Sequence, residues 1–296
     1  MKLASYVKPD GTPGYGLVAD GAAPGVIDLG GRLGGPTSLR ELLAQAGWQR
    51  SVESFVGKAP DFPLEGLAFL PVIPDPDKIL CVGINYASHV AETGRETPTK
   101  PMIFTRFANS QVGHGQPMIR PAASERFDFE GELAVVIGRS IRNVGPEDAA
   151  ACIAGFSCYN DGSIRDWQRH TTQFAPGKNF PGTGAFGPWL VTPDEFGEVK
   201  SRRLATRLNG EVMQSATFDD LIFDVPTLIS YCSHFTRLEP GDVVITGTTG
   251  GVGAFRTPPV WMAPGDAVEV EISGIGVLRN TIVDESPEHP VSAVWR

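Results

Sequence analysis

Three acidic residues of this 296-residue chain stand where carboxylates are costly. The run Asp128-Phe129-Glu130-Gly131-Glu132 leads directly into the apolar stretch LAVVIG, so Glu130 and Glu132 sit two apart at or just before a strand. Side chains two apart share one face, with roots roughly 6 to 7 Å from each other. Carboxylates so placed repel, and burying them beside an apolar run is unfavourable unless a proton or a cation neutralises them. Asp161 ends a second apolar stretch, GFSCYN, and is followed by a glycine, so its carboxylate also projects from a strand end. Three carboxylates suit a hard divalent ion, Mg2+ or Mn2+, with waters or substrate oxygens completing the octahedron. Taken alone, the Glu130/Glu132 pair reads more readily as a solvated strand edge.

Other chemistries fail on context. A literal GxGxxG occurs at Gly182, Gly184 and Gly187, but Pro188 follows and no helix opens, which excludes a dinucleotide loop. GFSCY carries Tyr159 where a serine nucleophile elbow needs its second glycine. TGTTGGVG follows the strand-like DVVI without the GKS or GKT of a phosphate loop. Its glycines allow close backbone approach to a ligand, and Thr248 can hydrogen-bond a carboxylate. Cys81, Cys152, Cys158 and Cys232 form no CxxC pair and read as buried reduced thiols. A net charge of -9 without clustered Lys and Arg excludes a nucleic-acid partner. No run of 18 apolar residues exists and the start lacks the apolar core of a secretory signal. The expectation is a cytoplasmic protein with no membrane partner.

The elements that must position these residues are mostly short strands. The 35 Gly and 25 Pro imply many turns and argue against a helix bundle. Residues 1–72 alternate strand-like pieces (LASYV, YGLVAD, VIDL) with one helix, which opens at Ser38 with capping-box spacing to Glu41 and ends at Gly47. They are expected to form a small N-terminal α+β domain. Pro71, Pro74 and Pro76 favour an extended linker. Residues 73–296 carry strand candidates at KILCVGI, PMIFTRF, GELAVVIG, GFSCYND, GPWLVT, DVVITGT, AVEVEI and GVLRNTIV, which makes the larger domain a β-rich mixed α+β unit. Helices are expected from Pro146, near SIRDWQRH, and along PTLISYCSHFTRL up to Pro240 and Gly241. Arg165 and Gln168 follow Asp161 by four and seven positions, so a helix there lines both up beside it.

GINYASHVAE, DFEGELAVVIG, YNDGSIRDWQ, PGKNF and TGTTGGVG, in that order across about residues 78–283, resemble the successive signatures of the fumarylacetoacetate hydrolase family, in a form like its bacterial acylpyruvases. The resemblance implies a catalytic domain of β-roll or β-sandwich type over residues 73–296, a homodimer, and metal ligands at Glu130, Glu132 and Asp161. It places a lid motif on Asn85, Tyr86, His89 and Glu92, with His89 and Glu92 as a catalytic pair. Three apart, those two are neighbours on a helical turn, where a carboxylate orients an imidazole that activates water. It also places Lys178, otherwise a loop lysine, against the substrate, where a cation steadies an enolate oxygen. Arg165, Gln168, Thr248 and Tyr86 fall on substrate-contacting positions. The family's usual GTP reads Gly247-Thr248-Thr249 here, and Asn179-Phe180-Pro181-Gly182 replaces a loop that often carries serine and aspartate. Both departures bear on the substrate and leave the metal ligands untouched.

The implied activity is divalent-metal-dependent hydrolysis of a carbon–carbon bond in a small 2,4-diketo acid, giving pyruvate and a carboxylic acid. Oxaloacetate decarboxylation, 2-oxo-enoate hydration and keto–enol isomerisation would pass through the same enolate, and family resemblance does not choose among them. A non-catalytic keto-acid-binding protein is the reading from a different class, and the presence of His89, Glu92 and Lys178 argues against it.

Overall fold

The apolar run after Glu132 has no polar alternation because both of its faces are covered. In the computed structural model, which describes residues 1–21, 23–88, 90 and 96–286, Gly131–Ile137 is an interior strand. It pairs antiparallel with Ile153–Asn160 on one side and Val243–Ile245 on the other. Its odd residues Leu133, Val135 and Ile137 enter one core with Val268, Val270 and Ile272. Its even residues Ala134 and Val136 enter a second core with Leu3, Leu42 and Trp48. A strand buried on both faces reads as a continuous apolar run.

The large sheet continues past Val243–Ile245 to the parallel strand Ile79–Gly83 and ends at Met102–Arg106. In the other direction, Ile153–Asn160 pairs with Gly184–Val191, which pairs with Lys2–Val7 and, through it, with Pro13–Ala19 and Gly25–Asp28. The segment before residue 73 therefore extends the same sheet and furnishes much of the second core. A five-stranded sheet packs on the opposite face, in the order Glu211–Thr217, Arg203–Leu208, Ala267–Ile272, Gly276–Asp284, Met118–Arg120. Neither sheet closes on itself, and the architecture is β-rich α+β.

Local signals explain most boundaries. Ser38 accepts the Glu41 N–H at 3.2 Å, and the Glu41 carboxylate reaches back to the Thr37 N–H at 2.7 Å. The helix so opened is only Leu39–Leu43. Gly47, expected to end it, instead precedes a second helix, Trp48–Glu53, with φ +73. The long helix Val225–Phe235 is capped by Asp224, which accepts from Thr227, and stops well before Pro240. The hairpin Arg203–Leu208/Glu211–Thr217 was not among the expected strands. It turns at Asn209-Gly210, where both residues take positive φ as such two-residue turns require. No helix among the described residues is long and apolar enough to cross a membrane.

Candidate active site

Strand register brings the three carboxylates together. Gly131 pairs with Asn160 and Glu132 with Tyr159, and one step further the Asp161 N–H donates to the Glu130 carbonyl at 2.8 Å. Oxygens of Glu130, Glu132 and Asp161 consequently lie within 4.8 Å of one another, all three residues being buried. The glycine between the two glutamates is dictated by packing. A Cβ at Gly131 would sit 2.0 Å from Thr206 Oγ1 on the neighbouring sheet. The Gly131 N–H donates to Gln214 Oε1 at 2.9 Å.

Three buried cations surround this cluster. Lys178, 1% exposed, directs Nζ to Glu130 Oε2 (2.6 Å), Asp161 Oδ2 (2.5 Å) and the Asp161 carbonyl (3.3 Å). Burial pulls its pKa down, but the charges of Asp161 and Glu130 outweigh this and raise it, so the ammonium stays charged. Arg165 opens the one-turn helix Arg165–Gln168 and donates Nε to Asp128 (2.7 Å) and Nη1 to Gln168 Oε1 (3.0 Å). Its Nη2 meets Glu130 Oε1 at 2.6 Å. Arg106 holds Asp161 Oδ1 at 2.5 Å and also donates to the Gly162 carbonyl and Thr183 Oγ1. It went unpredicted; its one sequence signal was a lone charge ending an apolar strand. Asp128 was missed too: besides Arg165 it accepts the N–H groups of Gly253 and Ala254, tying the glycine-rich loop to the cluster.

The four carboxylates thus outnumber the three cations, and the one left over is Glu132. It accepts the Gly247 N–H at 2.6 Å, and no basic side chain pairs with it among the described residues. Burial, with the charges of Asp161 and Glu130 added, pushes its carboxyl pKa well above the usual range. A buried all-oxygen donor set with an uncompensated negative charge fits a hard divalent cation, which Glu130, Glu132 and Asp161 would hold.

The remaining expected residues are distributed as follows. Gly247, with φ +100 and a Cβ position 2.9 Å from Asn85 Cβ, aims its N–H at Glu132. Asn85 bonds to Phe223 and to the Thr246 carbonyl, pinning two loops. Beside it Ile84, a β-branched residue, is held at φ +57 in the wall of the site cavity, a conformation that costs energy and persists only where surroundings enforce it. Tyr86 is buried with its hydroxyl unbonded, and its pKa is raised by burial and by the charges of Glu132 and Asp220. Thr248 lines the cavity, donates to the Gly131 carbonyl (3.0 Å) and accepts from Gln214 (2.8 Å). His89 and Glu92 lie outside the described residues. The cavity has a polar side that includes Glu130, Glu132, Arg165 and Arg169, faced by the rings of Phe104, Phe174 and Phe255.

A buried carboxylate triad at adjoining strand ends, ringed by fixed cations and opening into a small cavity, makes a candidate metal centre and active site. Residues 78–283 match the model of the Fumarylacetoacetate (FAA) hydrolase C-terminal family, and the chain belongs to that family. It is 39% identical over 289 residues to the oxaloacetate tautomerase FAHD2A, mitochondrial, of Bos taurus, covering 96% of this chain and 92% of that one. Among solved structures it resembles a fumarylacetoacetate hydrolase from Exiguobacterium antarcticum, with 33% identity, TM-score 0.80, and coverage of 96% and 100%. It also resembles a 5-carboxymethyl-2-hydroxymuconate delta-isomerase from Mycobacterium smegmatis, with 31% identity, TM-score 0.76, and coverage of 96% and 100%.

Proposed function

We propose that this enzyme interconverts the keto and enol forms of oxaloacetate or a close 2-oxo acid, with Mg2+ or Mn2+ held by Glu130, Glu132 and Asp161. The observation that carries the proposal is the buried carboxylate triad in which Glu132 has no basic partner among the described residues while the buried Lys178 ammonium sits on Glu130 and Asp161. The divalent ion, when bound, supplies a Lewis acid that polarises the 2-oxo group and makes the neighbouring C–H acidic. Lys178 Nζ stays protonated and, with its N–H groups held by Glu130 and Asp161, serves as a fixed positive charge near the oxygen where negative charge develops, not as a base. Its hydrogen bonds to Glu130 and Asp161 fix it in place, so no reorganisation is needed during the reaction. Phe104 and Phe174 contribute apolar rings to the cavity lining. His89, oriented by Glu92, is the proposed carrier of the proton between carbon and oxygen.

Tautomerisation needs one C–H bond broken and one O–H bond formed, with no carbon–carbon scission and no attacking water. The tautomerase and isomerase activities carried in the names of two similar proteins support this choice. Carbon–carbon hydrolysis of an acylpyruvate is the second reading, favoured by the hydrolase among the structural neighbours. In it, His89 would activate a water instead. The two separate in a direct assay with added Mg2+ or Mn2+, following the enol absorbance of oxaloacetate and, in parallel, the diketone absorbance of an acylpyruvate. Faster enol decay with an unchanged diketone is expected. Diketone cleavage outrunning oxaloacetate tautomerisation would replace the proposal with the hydrolase reading.

A further inference from the structure

The three cations lining or flooring the cavity are unequally spent. Lys178 has three N–H bonds, and Glu130, Asp161 Oδ2 and the Asp161 carbonyl take all of them. Arg165 is buried and its charge is already met by Asp128 and Glu130, with a further N–H on Gln168. Arg169 lines the same cavity, sits just past the Arg165–Gln168 turn and is exposed. Among the described residues no carboxylate or carbonyl accepts from its guanidinium. Its neighbour is the Phe255 ring, 5.9 Å from Cζ, itself part of the cavity wall. Gln168 offers Oε1 to Arg165, which leaves its amide nitrogen as an unspent donor one residue away.

We infer that Arg169, with the Gln168 amide, grips a carboxylate at the far end of the substrate, so that the site selects 2-oxo dicarboxylates over 2-oxo acids with an uncharged tail. The inference rests on the 2-oxo acid reading given above. The paired cations organise the reacting end; Arg169 is the cavity-lining cation whose charge no carboxylate offsets among the described residues. A guanidinium matches a carboxylate in a two-bond fork, and the ring beside it limits its freedom before the ligand arrives. In a chain of net charge -9, a dianion also needs local positive charge to approach. A tail without charge gains nothing from Arg169, and the cavity's aromatic wall does not distinguish it.

The test measures kcat/KM for deuterium uptake at C3 of oxaloacetate and of 2-oxobutyrate by the metal-loaded wild type, Arg169→Met and Arg169→Lys. Arg169→Met should lower the ratio of the two values by about 10-fold, a charge-assisted contact discounted for its exposure, and mainly through KM for oxaloacetate. Arg169→Lys should recover part of the ratio, as a point charge without the fork. An unchanged ratio, or equal losses on both acids, would overturn the inference while leaving the 2-oxo acid reading intact. Wild-type exchange of neither acid would overturn that reading and this inference with it.

Discussion

Glu132 is 2% exposed, and among the described residues its carboxylate accepts only the backbone N–H of Gly247. An ionised carboxylate in that position destabilises the metal-free protein, because desolvation is not repaid by a counter-charge. Glu132→Gln preserves the shape and removes the charge. The metal-free variant should therefore melt at a higher temperature than the metal-free wild type, and the rise in Tm that Mn2+ gives the wild type should disappear. The sign with pH follows from the raised pKa. The folded value lies above the ordinary 4.5, so Glu132's favourable contribution is complete below that pH and is lost as pH rises through the folded value. That decline should be present in metal-free wild type and absent from Glu132→Gln. Calorimetry across pH, with and without Mn2+, checks all three, and a variant that melts lower yet still responds to Mn2+ would show Glu132 to be a satisfied anion. At this scale the acids were legible, because carboxylates abutting apolar strands are anomalous wherever they occur. Arg106 was not: its partner Asp161 is 55 positions away, and nothing local to PMIFTRF announces the pairing.

At the scale of elements, the site depends on how closely two sheets approach at Gly131. Thr206 Oγ1 occupies the space a Cβ would need, and that hydroxyl is buried without a hydrogen-bond partner. Gly131→Ala should cost about 1 to 3 kcal/mol by overpacking and shift Glu130 relative to Glu132. Adding Thr206→Ala should restore part of both stability and metal response, so urea denaturation of the two single variants and the double variant should show a favourable coupling. A Gly131→Ala protein as stable as wild type would mean the sheets separate freely there. Strands buried on both faces, such as Gly131–Ile137, were legible as continuous apolar runs. The Arg203–Thr217 hairpin was overlooked because charged residues interrupt its apolar alternation, although Asn209-Gly210 marked the turn. Gly47 does not end the first helix because that helix already stops at Leu43, and the left-handed glycine instead precedes Trp48–Glu53.

Across the whole molecule, one sheet runs from the first residues to the strands that carry the carboxylates. Lys2 pairs with Val191 and Leu3 with Leu190, and the second core joins Leu3, Leu42 and Trp48 to Ala134 and Val136. Pairing between segments so distant leaves no mark in either one, since each reads as an ordinary short strand. The consequence is mechanical: the strand whose end carries Glu132 is backed by both cores, so the carboxylates are fixed before substrate arrives and binding energy is not spent on ordering them. Under the proposed function, this fixed triad holds a divalent ion at which a 2-oxo acid is gripped. Electron paramagnetic resonance of Mn2+ titrated into the protein with 13C-labelled oxalate, a mimic of an enolised 2-oxo acid, tests it most directly. One bound Mn2+ per chain with 13C coupling from oxalate is expected in the wild type, and loss of both in Glu132→Gln. Mn2+ that stays free in the wild type, or binds without coupling to oxalate, would contradict it.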